Sequence, residues 1–418
     1  MKVLDLDGSA FDRGRLQGQL VRKEFRKMLK DFFASDVWSD NKPPFLPKML
    51  VLPALGLLGS LCIKKTIIKN MPLQAERVRG LAKGLGVREN VAWGLQFMEI
   101  LMCEAGKSIE IPGGCTQVHA APEATAYNRP LSGRNYDFPN VLLPYQVVRR
   151  ELPEEPGRYA ATTVTQLPLC GGHQGINEHG LMISVNNSRL LKGKDLRFKG
   201  VPYQILLMEA LETCRNTDEA VNFLSKFPYR ANAGFFGIVD AEGKVRVIEF
   251  TASRFTVRKP EEKGIMAQTN HYIQMPEANL PEGTVFTVKG MEGMEFSFST
   301  KNRYNAALKR LKDEAGGITV ESLMEILKDH SANDGEGCDF TVCCHGETGS
   351  TLSSMVVDPA ERKIWIATGP PCSNQYQLIE FREESCGGID YLQLLKYLLI
   401  FMAGSYNIFK ALRGIKNI

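Results

Sequence analysis

The tripeptide Gly113-Gly114-Cys115 is where residue type and position first suggest covalent chemistry in this 418-residue chain. Two glycines leave the backbone free to twist, and a thiol on the carboxyl side of the Gly114–Cys115 peptide can attack that carbonyl and rearrange to a thioester. Hydrolysis then frees Cys115 as a new amino terminus. A cysteine at a chain start carries its own base, because an α-amine titrates near about pH 8 and takes the thiol proton directly or through water. A His/Asp pair is not required.

Downstream, Leu131 to Phe138 reads Leu-Ser-Gly-Arg-Asn-Tyr-Asp-Phe. Were Arg134 brought beside the thiol it would favour thiolate, and Asp137 brought near the new amine would orient it and hold its proton. With Gly-Cys ahead of it, this segment resembles the penicillin acyltransferase and choloylglycine (bile salt) hydrolase group of N-terminal-nucleophile enzymes, closest to its acyl-CoA:6-aminopenicillanic acid acyltransferase branch. In that group a cysteine begins the mature chain, and Gly-Arg/Gln-Asn-x-Asp-Phe follows on the next strand of a hairpin.

The resemblance continues at Gly175-Ile-Asn-Glu-His-Gly-Leu-Met-Ile-Ser-Val-Asn-Asn, which implies a turn entering a strand that ends in an active-site asparagine. Asn186 and Asn187 both fit that place; alternation lets only one face the pocket, with Asn186 preferred. Ala267-Gln-Thr-Asn-His-Tyr implies an oxyanion-hole role for Asn270, whose amide donates to developing charge without titrating. His271 is read as structural, since an amino-terminal cysteine needs no further base. Ser299-Thr-Lys-Asn-Arg-Tyr implies that Arg303 reaches the nucleophile from the start of a helix. Ser350-Thr-Leu-Ser-Ser-Met-Val-Val-Asp-Pro and Ile366-Ala-Thr-Gly-Pro-Pro-Cys are similar to the branch's closing strands, and Asp7-Gly-Ser-Ala-Phe-Asp-Arg-Gly-Arg-Leu-Gln-Gly to its pro-segment. The match runs in order over about residues 5 to 372, while Pro43 to Lys65 and the tail after Cys372 fall outside it.

The elements that must position these residues follow from periodicity. Phe11 to Phe33 and Leu73 to Cys103 read as helical, the second interrupted by Gly80, Gly84 and Gly86. After Gly113 come β-rich runs at Tyr159–Leu167, Gly180–Val185, Gly234–Val239 and Val245–Phe250, the last two flanking a turn at Asp240–Lys244. Helical stretches at Pro202–Arg215, Thr217–Lys226, Thr300–Ala315 and Thr319–Asp329 precede strands at Leu352–Val357 and Lys363–Ile366. Strands segregated from helices predict an α+β fold with two antiparallel sheets between helical layers. With the resemblance, this is a four-layer αββα sandwich: a helical pro-segment over 1–114, a catalytic core over 115–372 and an apolar helical extension over 373–418.

Composition narrows the function classes. With 44% apolar and 23% charged residues the chain is globular, and its net charge of +4 has no basic run with aromatics that would grip nucleic acid. Residues 1–114 carry 18 Lys/Arg against 12 Asp/Glu, a mildly basic third read as a solvated face or one that sits near acidic lipid. Ten cysteines form no CxxC pair, so spacing supports no zinc site, and neither a metal nor another cofactor is expected. No signal sequence is recognised, which makes a reduced, cytoplasmic chain the default. Met49 to Ile63, roughly fifteen apolar residues, falls short of the twenty or so that span a bilayer. That stretch and Tyr391 to Met402, which Lys410, Arg413 and Lys416 follow, are read as buried helices, lids or interfacial anchors in peripheral contact with a membrane.

The resemblance implies a self-processing cysteine amidohydrolase that cuts a linear N-acyl amide through a thioester on Cys115, with transfer of the acyl group to an amine left open. The substrate would be a small acyl amide, and the two self-cleaved chains would stay associated, with homo-oligomers also open. An acyltransferase using a thioester donor and a non-catalytic binding protein that keeps the fold are the competing expectations. The retained Cys115, Arg134, Asp137, Asn270 and Arg303 weigh against the binding protein.

Overall fold

The computed structural model describes residues 1–42, 46–104, 114–188, 195, 197–287, 291–347 and 349–382. The chain opens with strand β1 (Lys2–Gly8), where Val-Leu-Asp-Leu-Asp alternation buries Leu4 and Leu6. Helices α1 (Ala10–Leu20), α2 (Arg22–Ala34), α3 (Asp36–Asn41), α4 (Lys48–Gly59), α5 (Lys65–Asn70), α6 (Pro72–Leu85) and α7 (Glu89–Glu104) follow. Residues 1–114, expected to be helical, therefore begin with a strand, and that strand pairs in parallel with β4 (Gln146–Pro153) of the main sheet.

Two sheets form among the described residues. The larger, of eight strands, runs β1-β4-β5-β6-β7-β8-β9-β10, with β5 (Ala161–Gln166), β6 (Gln174–Asn177), β7 (Met182–Asn187), β8 (Gly234–Val239), β9 (Val245–Phe250) and β10 (Phe255–Arg258). The smaller, of six strands, runs β11-β2-β3-β12-β13-β14, with β2 (Cys115–Ala120), β3 (Leu131–Pro139), β11 (Ile265–Gln268), β12 (Gly349–Asp358), β13 (Lys363–Thr368) and β14 (Gln377–Ile379). Apart from β1 with β4, every pair is antiparallel.

The sheets meet through Val148, Val164, Ile176 and Met182 of one and Met355, Val357, Ile364 and Ile366 of the other. Helices α8 (Tyr203–Thr213) and α9 (Thr217–Lys226) cover the outer face of the larger sheet, while α10 (Phe296–Glu314) and α11 (Val320–Leu327) cover the smaller one through Leu311, Leu323 and Leu327 on Val118, Ile265 and Val356. This is the expected α+β, four-layer αββα sandwich. Part of the expected helical extension is strand β14, and the extension from residue 383 onward, including Tyr391–Met402, lies outside the described residues.

Helix α6 runs against α1 backbone to backbone. A Cβ on Gly80 would overlap the Phe11 carbonyl, and one on Gly84 the Arg15 carbonyl, so these glycines are the contact face rather than interruptions. Gly86 ends α6 in the left-handed region at φ 72°. Beneath this pair, Arg13 meets Glu212 at 2.6 Å and Glu151 at 3.2 Å, Arg77 pairs with Glu151, and Arg149 lies 3.3 Å from Glu151. These buried charges are mutually paired, and they bind α1, α6, β4 and α8 together.

The stretch expected as fifteen apolar residues is part of one 23-residue helical rod, Lys48–Asn70, because a π-turn at Ser60–Lys64 carries α4 into α5. Gly56 and Gly59 lie against Asn90 and Trp93 of α7, while Met49, Leu57 and Leu61 are 81%, 59% and 65% exposed. By length and composition this rod could cross a bilayer, a property that core helices share.

Candidate active site

The inner faces of the two sheets, apolar at one end, become polar at the other. Cys115, Gln117 and His119 of β2 face across to β7 and β8 together with Ser132, Arg134 and Tyr136 of β3, and all six are buried. Burying so many polar groups costs free energy unless each finds a partner, which is why such seams mark functional sites.

Cys115 begins β2 opposite Tyr136. Arg134 Nη2 donates to Cys115 Sγ at 3.2 Å, and the guanidinium is fixed by Val185 O at 2.6 Å, Asn186 Oδ1 at 3.0 Å and Gln174 Oε1 at 3.4 Å. The amide N–H of Asp137 donates to Gly114 O at 3.0 Å. The Cys115 N–H donates to Asn270 Oδ1 at 3.0 Å, and Arg303 donates to the same oxygen at 2.9 Å and to Cys115 O at 2.8 Å. All three groups of the Gly114–Cys115 peptide and its thiol are thus held by Asp137, Asn270 and Arg134.

Strand alternation puts Asn186 on the inner face, where its Nδ2 donates to Cys115 O at 3.3 Å and to Gln268 O at 3.0 Å. Asn187 points to the other side and contributes its carbonyl, which accepts from Asn270 Nδ2 at 2.7 Å. The Asn270 side chain therefore turns its oxygen, not its amide, towards Cys115. Two donors on Oδ1 and one acceptor on Nδ2 fix that orientation. Arg303 sits on α10 as its eighth residue, about two turns beyond the helix start that its motif implied.

Burial pushes the Cys115 thiol up, Arg134 pulls it back down, and Asp137 adds to the rise. Arg134 thus favours thiolate, but in this environment burial outweighs it. Asp137 is raised to about 6 by burial, against the opposing pull of Arg303 and a hydrogen bond from Thr351 Oγ1 to its Oδ1 at 2.7 Å. Its Oδ2 is buried and has no hydrogen-bond partner among the described residues. His271 is driven down to about 4 by burial and by Arg303 and rests 3.0 Å from Thr300 Oγ1, a neutral, structural imidazole at pH 7.

Several neighbours were not foreseen. The Tyr136 ring packs on His173 at 4.7 Å, and His173 Nε2 lies 2.7 Å from Glu99 of α7, whose carboxylate also accepts from Tyr203 and Gln204. The hairpin register points to Tyr136, whereas Glu99 and His173 meet only in three dimensions. Donor atoms of His330, Cys343, His345 and Cys372 also lie within 4.8 Å of one another, although no spacing rule joins them.

Residues 125–372 match the family profile described as acyl-coenzyme A:6-aminopenicillanic acid acyl-transferase, a span that holds Arg134, Asp137, Asn186, Asn187, Asn270 and Arg303 but begins after Cys115. The protein dcd1A of Dictyostelium discoideum is 25% identical over 240 residues, which is 53% of this chain and 52% of that protein, so the chain spans about half the length of this curated relative. Among solved structures, the Caenorhabditis elegans ortholog of N-acylethanolamine-hydrolyzing acid amidase is 15% identical with a TM-score of 0.41, over 59% of this chain and 93% of its own. A variant of conjugated bile acid hydrolase from Clostridium perfringens is 13% identical with a TM-score of 0.40, over 66% and 100% respectively.

Proposed function

We propose, on the premise that the chain belongs to the acyl-coenzyme A:6-aminopenicillanic acid acyl-transferase family, that it cuts its own Gly114–Cys115 peptide and then uses Cys115 to break linear N-acyl amides. The observation that carries this is the gripping of that one peptide: Asp137 N–H on Gly114 O, Asn270 Oδ1 on Cys115 N–H, and Arg134 on the thiol.

In the first step Cys115 Sγ attacks the Gly114 carbonyl carbon and the π pair moves to oxygen, where the Asp137 N–H meets the developing charge. The C–N bond then breaks as nitrogen takes the proton the thiol gave up, leaving Gly114 as a thioester on sulfur and the Cys115 nitrogen as a free α-amine. Water cleaves the thioester to a Gly114 carboxylate and a free thiol, so that Cys115 heads the new chain with both its thiol and its α-amine. Asn270 Oδ1, which holds the amide N–H in the uncut chain, stays in place to orient that amine. The Asp137 oxygen that has no partner among the described residues, on a carboxyl that burial raises to about 6, is suited to exchange its proton.

With a substrate amide the amine takes the thiol proton, sulfur attacks the acyl carbon, and the leaving amine departs with the proton. Asn270 Nδ2, released from Asn187 O, is the donor we assign to the acyl oxygen. Water then frees the acid; an amine acceptor in its place would give transfer. Intact-mass measurement tests the reading: wild-type protein should give two fragments meeting at residue 115, and Cys115→Ala a single chain without amide turnover. Cleaved, active Cys115→Ala protein would overturn it.

A further inference from the structure

We propose that His330, Cys343, His345 and Cys372 form a four-ligand structural zinc site. Two cysteine sulfurs and two imidazoles place their ligand atoms within 4.8 Å of one another. His345 Nε2 stands 3.3 Å from Cys343 Sγ and 3.1 Å from Cys372 Sγ. A tetrahedron with Zn–S of about 2.3 Å and Zn–N of about 2.0 Å has edges of roughly 3.3–3.8 Å, so the donors need only small shifts to enclose an ion. His330 Nε2 is buried with no hydrogen-bond partner among the described residues, and its ring meets that of His345 edge-on at 5.0 Å.

The backbone around the donors is built to hold them. Cys343 N–H donates to Asp329 O at 3.1 Å, which fastens the segments carrying Cys343 and His330 side by side. Gly337 passes so close over His345 that a Cβ there would overlap the imidazole. Cys372 arrives from the turn after β13, where Gly369 N–H bonds Leu352 O at 2.9 Å and Ser373 N–H bonds Pro370 O at 3.2 Å. Two thiolates with two imidazoles in a tetrahedral set favour zinc over the oxygen-seeking cations, and four protein ligands leave no open position, which makes the site structural. Binding Zn²⁺ would release the two thiol protons and join the loop before β12 to the loop after β13.

The site is linked to the candidate active site through Cys344 and Thr351. Cys344 N–H, between two ligands, donates to Thr351 Oγ1 at 3.0 Å, and that hydroxyl donates to Asp137 at 2.7 Å. Zinc would thus fix the segment that orients Thr351.

Full-length protein expressed with zinc and purified under reducing conditions without chelator should carry about one zinc per chain by elemental analysis, and Cys343→Ser and His345→Ala should drop it below roughly a tenth of that. Cys344→Ser, whose sulfur faces Gly349 O instead, should keep its zinc. Wild-type protein stripped of metal and titrated with Co²⁺ should show the thiolate-to-cobalt charge-transfer absorption of a tetrahedral site, a measurement that does not depend on any variant folding. Metal-free wild-type protein without that absorption, a Cys343–Cys372 disulfide in freshly purified protein, or unchanged zinc in Cys343→Ser would each overturn the proposal. Zinc content is read independently of self-cleavage, so the proposal stands or falls apart from the function of Cys115.

Discussion

The Arg303 guanidinium fills the space that a side chain at residue 114 would need: a Cβ built on Gly114 would overlap Nη2 and crowd the rest of the group. Arg303 is not free to move aside, because it is buried and bonded to Cys115 O, Thr116 Oγ1 and Asn270 Oδ1. Gly114→Ala should therefore displace the arginine and with it the hold on the Gly114–Cys115 peptide. The expected outcome is self-cleavage slowed at least tenfold, followed by mass spectrometry over hours. Cleavage at the wild-type rate would show that Arg303 does not act on that peptide.

The Asn270 side chain offers an acceptor and a donor to different partners, and two substitutions separate them. Asn270→Ala removes both and should lower amide turnover by roughly a hundredfold or more, the usual cost of an oxyanion donor. Asn270→Asp keeps an acceptor for Cys115 N–H and Arg303 but loses the donor. It should cleave itself at near the wild-type rate yet turn over substrate no better than the alanine form. If Asn270→Asp instead retained full turnover, the donor to the acyl oxygen would lie elsewhere.

The Asp137 carboxyl is raised from an ordinary value near 3.8 to about 6 in the fold. Between those values the folded chain binds more protons than the unfolded chain, so this group lowers stability as pH rises through that window. Asp137→Asn removes the cost. At pH 7 it should be more stable than wild type by on the order of 1–3 kcal/mol, an advantage that fades below about pH 4, while self-cleavage is impaired. Urea unfolding at a series of pH values, with both forms carried in the uncut Cys115→Ala chain so that unfolding is reversible, measures this, and a stability difference independent of pH would show that Asp137 is not desolvated.

Much of this was legible in local sequence. The turn Asp240–Lys244, helix Thr217–Lys226 and strands Gly234–Val239 and Val245–Phe250 lie where their composition puts them, because hairpin turns and N-caps such as Asn216 are local signals. Alternation says that only one of Asn186 and Asn187 faces inward, and which one depends on the pairing of β7 with β8. Strand β1 is not legible locally although Leu4 and Leu6 alternate with aspartates, since a short amphipathic run shows its role only when β4 supplies a partner. The glycines of α6 read as breaks because nothing in their own helix reveals that α1 lies against them. The side on which Asn270 turns its amide, and the meeting of His330 with Cys372, are set by contacts between distant segments, which no spacing rule contains.

The close approach of α1 and α6 predicts an unusual intolerance. Gly80→Ala should destabilise the chain by on the order of 2–3 kcal/mol, because a methyl group there must push two backbones apart. Gly317→Ala, with only the Glu314 carbonyl near at 3.7 Å, should change stability by less than about 0.5 kcal/mol. Thermal melts of the two variants compare them directly, and equal melting points would show that the helices can separate without cost.

The parallel pairing of Lys2–Gly8 with β4 gives any break at residue 114 a history. Parallel neighbours are joined by long crossovers, and here the connection between β1 and β4 runs through residue 114. While it is covalent, the chain brings its own edge strand to the sheet as an intramolecular event. After a cut, the same strand would have to find the sheet by diffusion, against the loss of effective concentration that a tether provides. Processed protein, once unfolded, should recover poorly and in a concentration-dependent way, whereas the uncut Cys115→Ala chain should refold at any dilution. Maturation would then be a one-way passage, with the precursor holding the instructions for assembly and the mature enzyme persisting only as long as it never lets go.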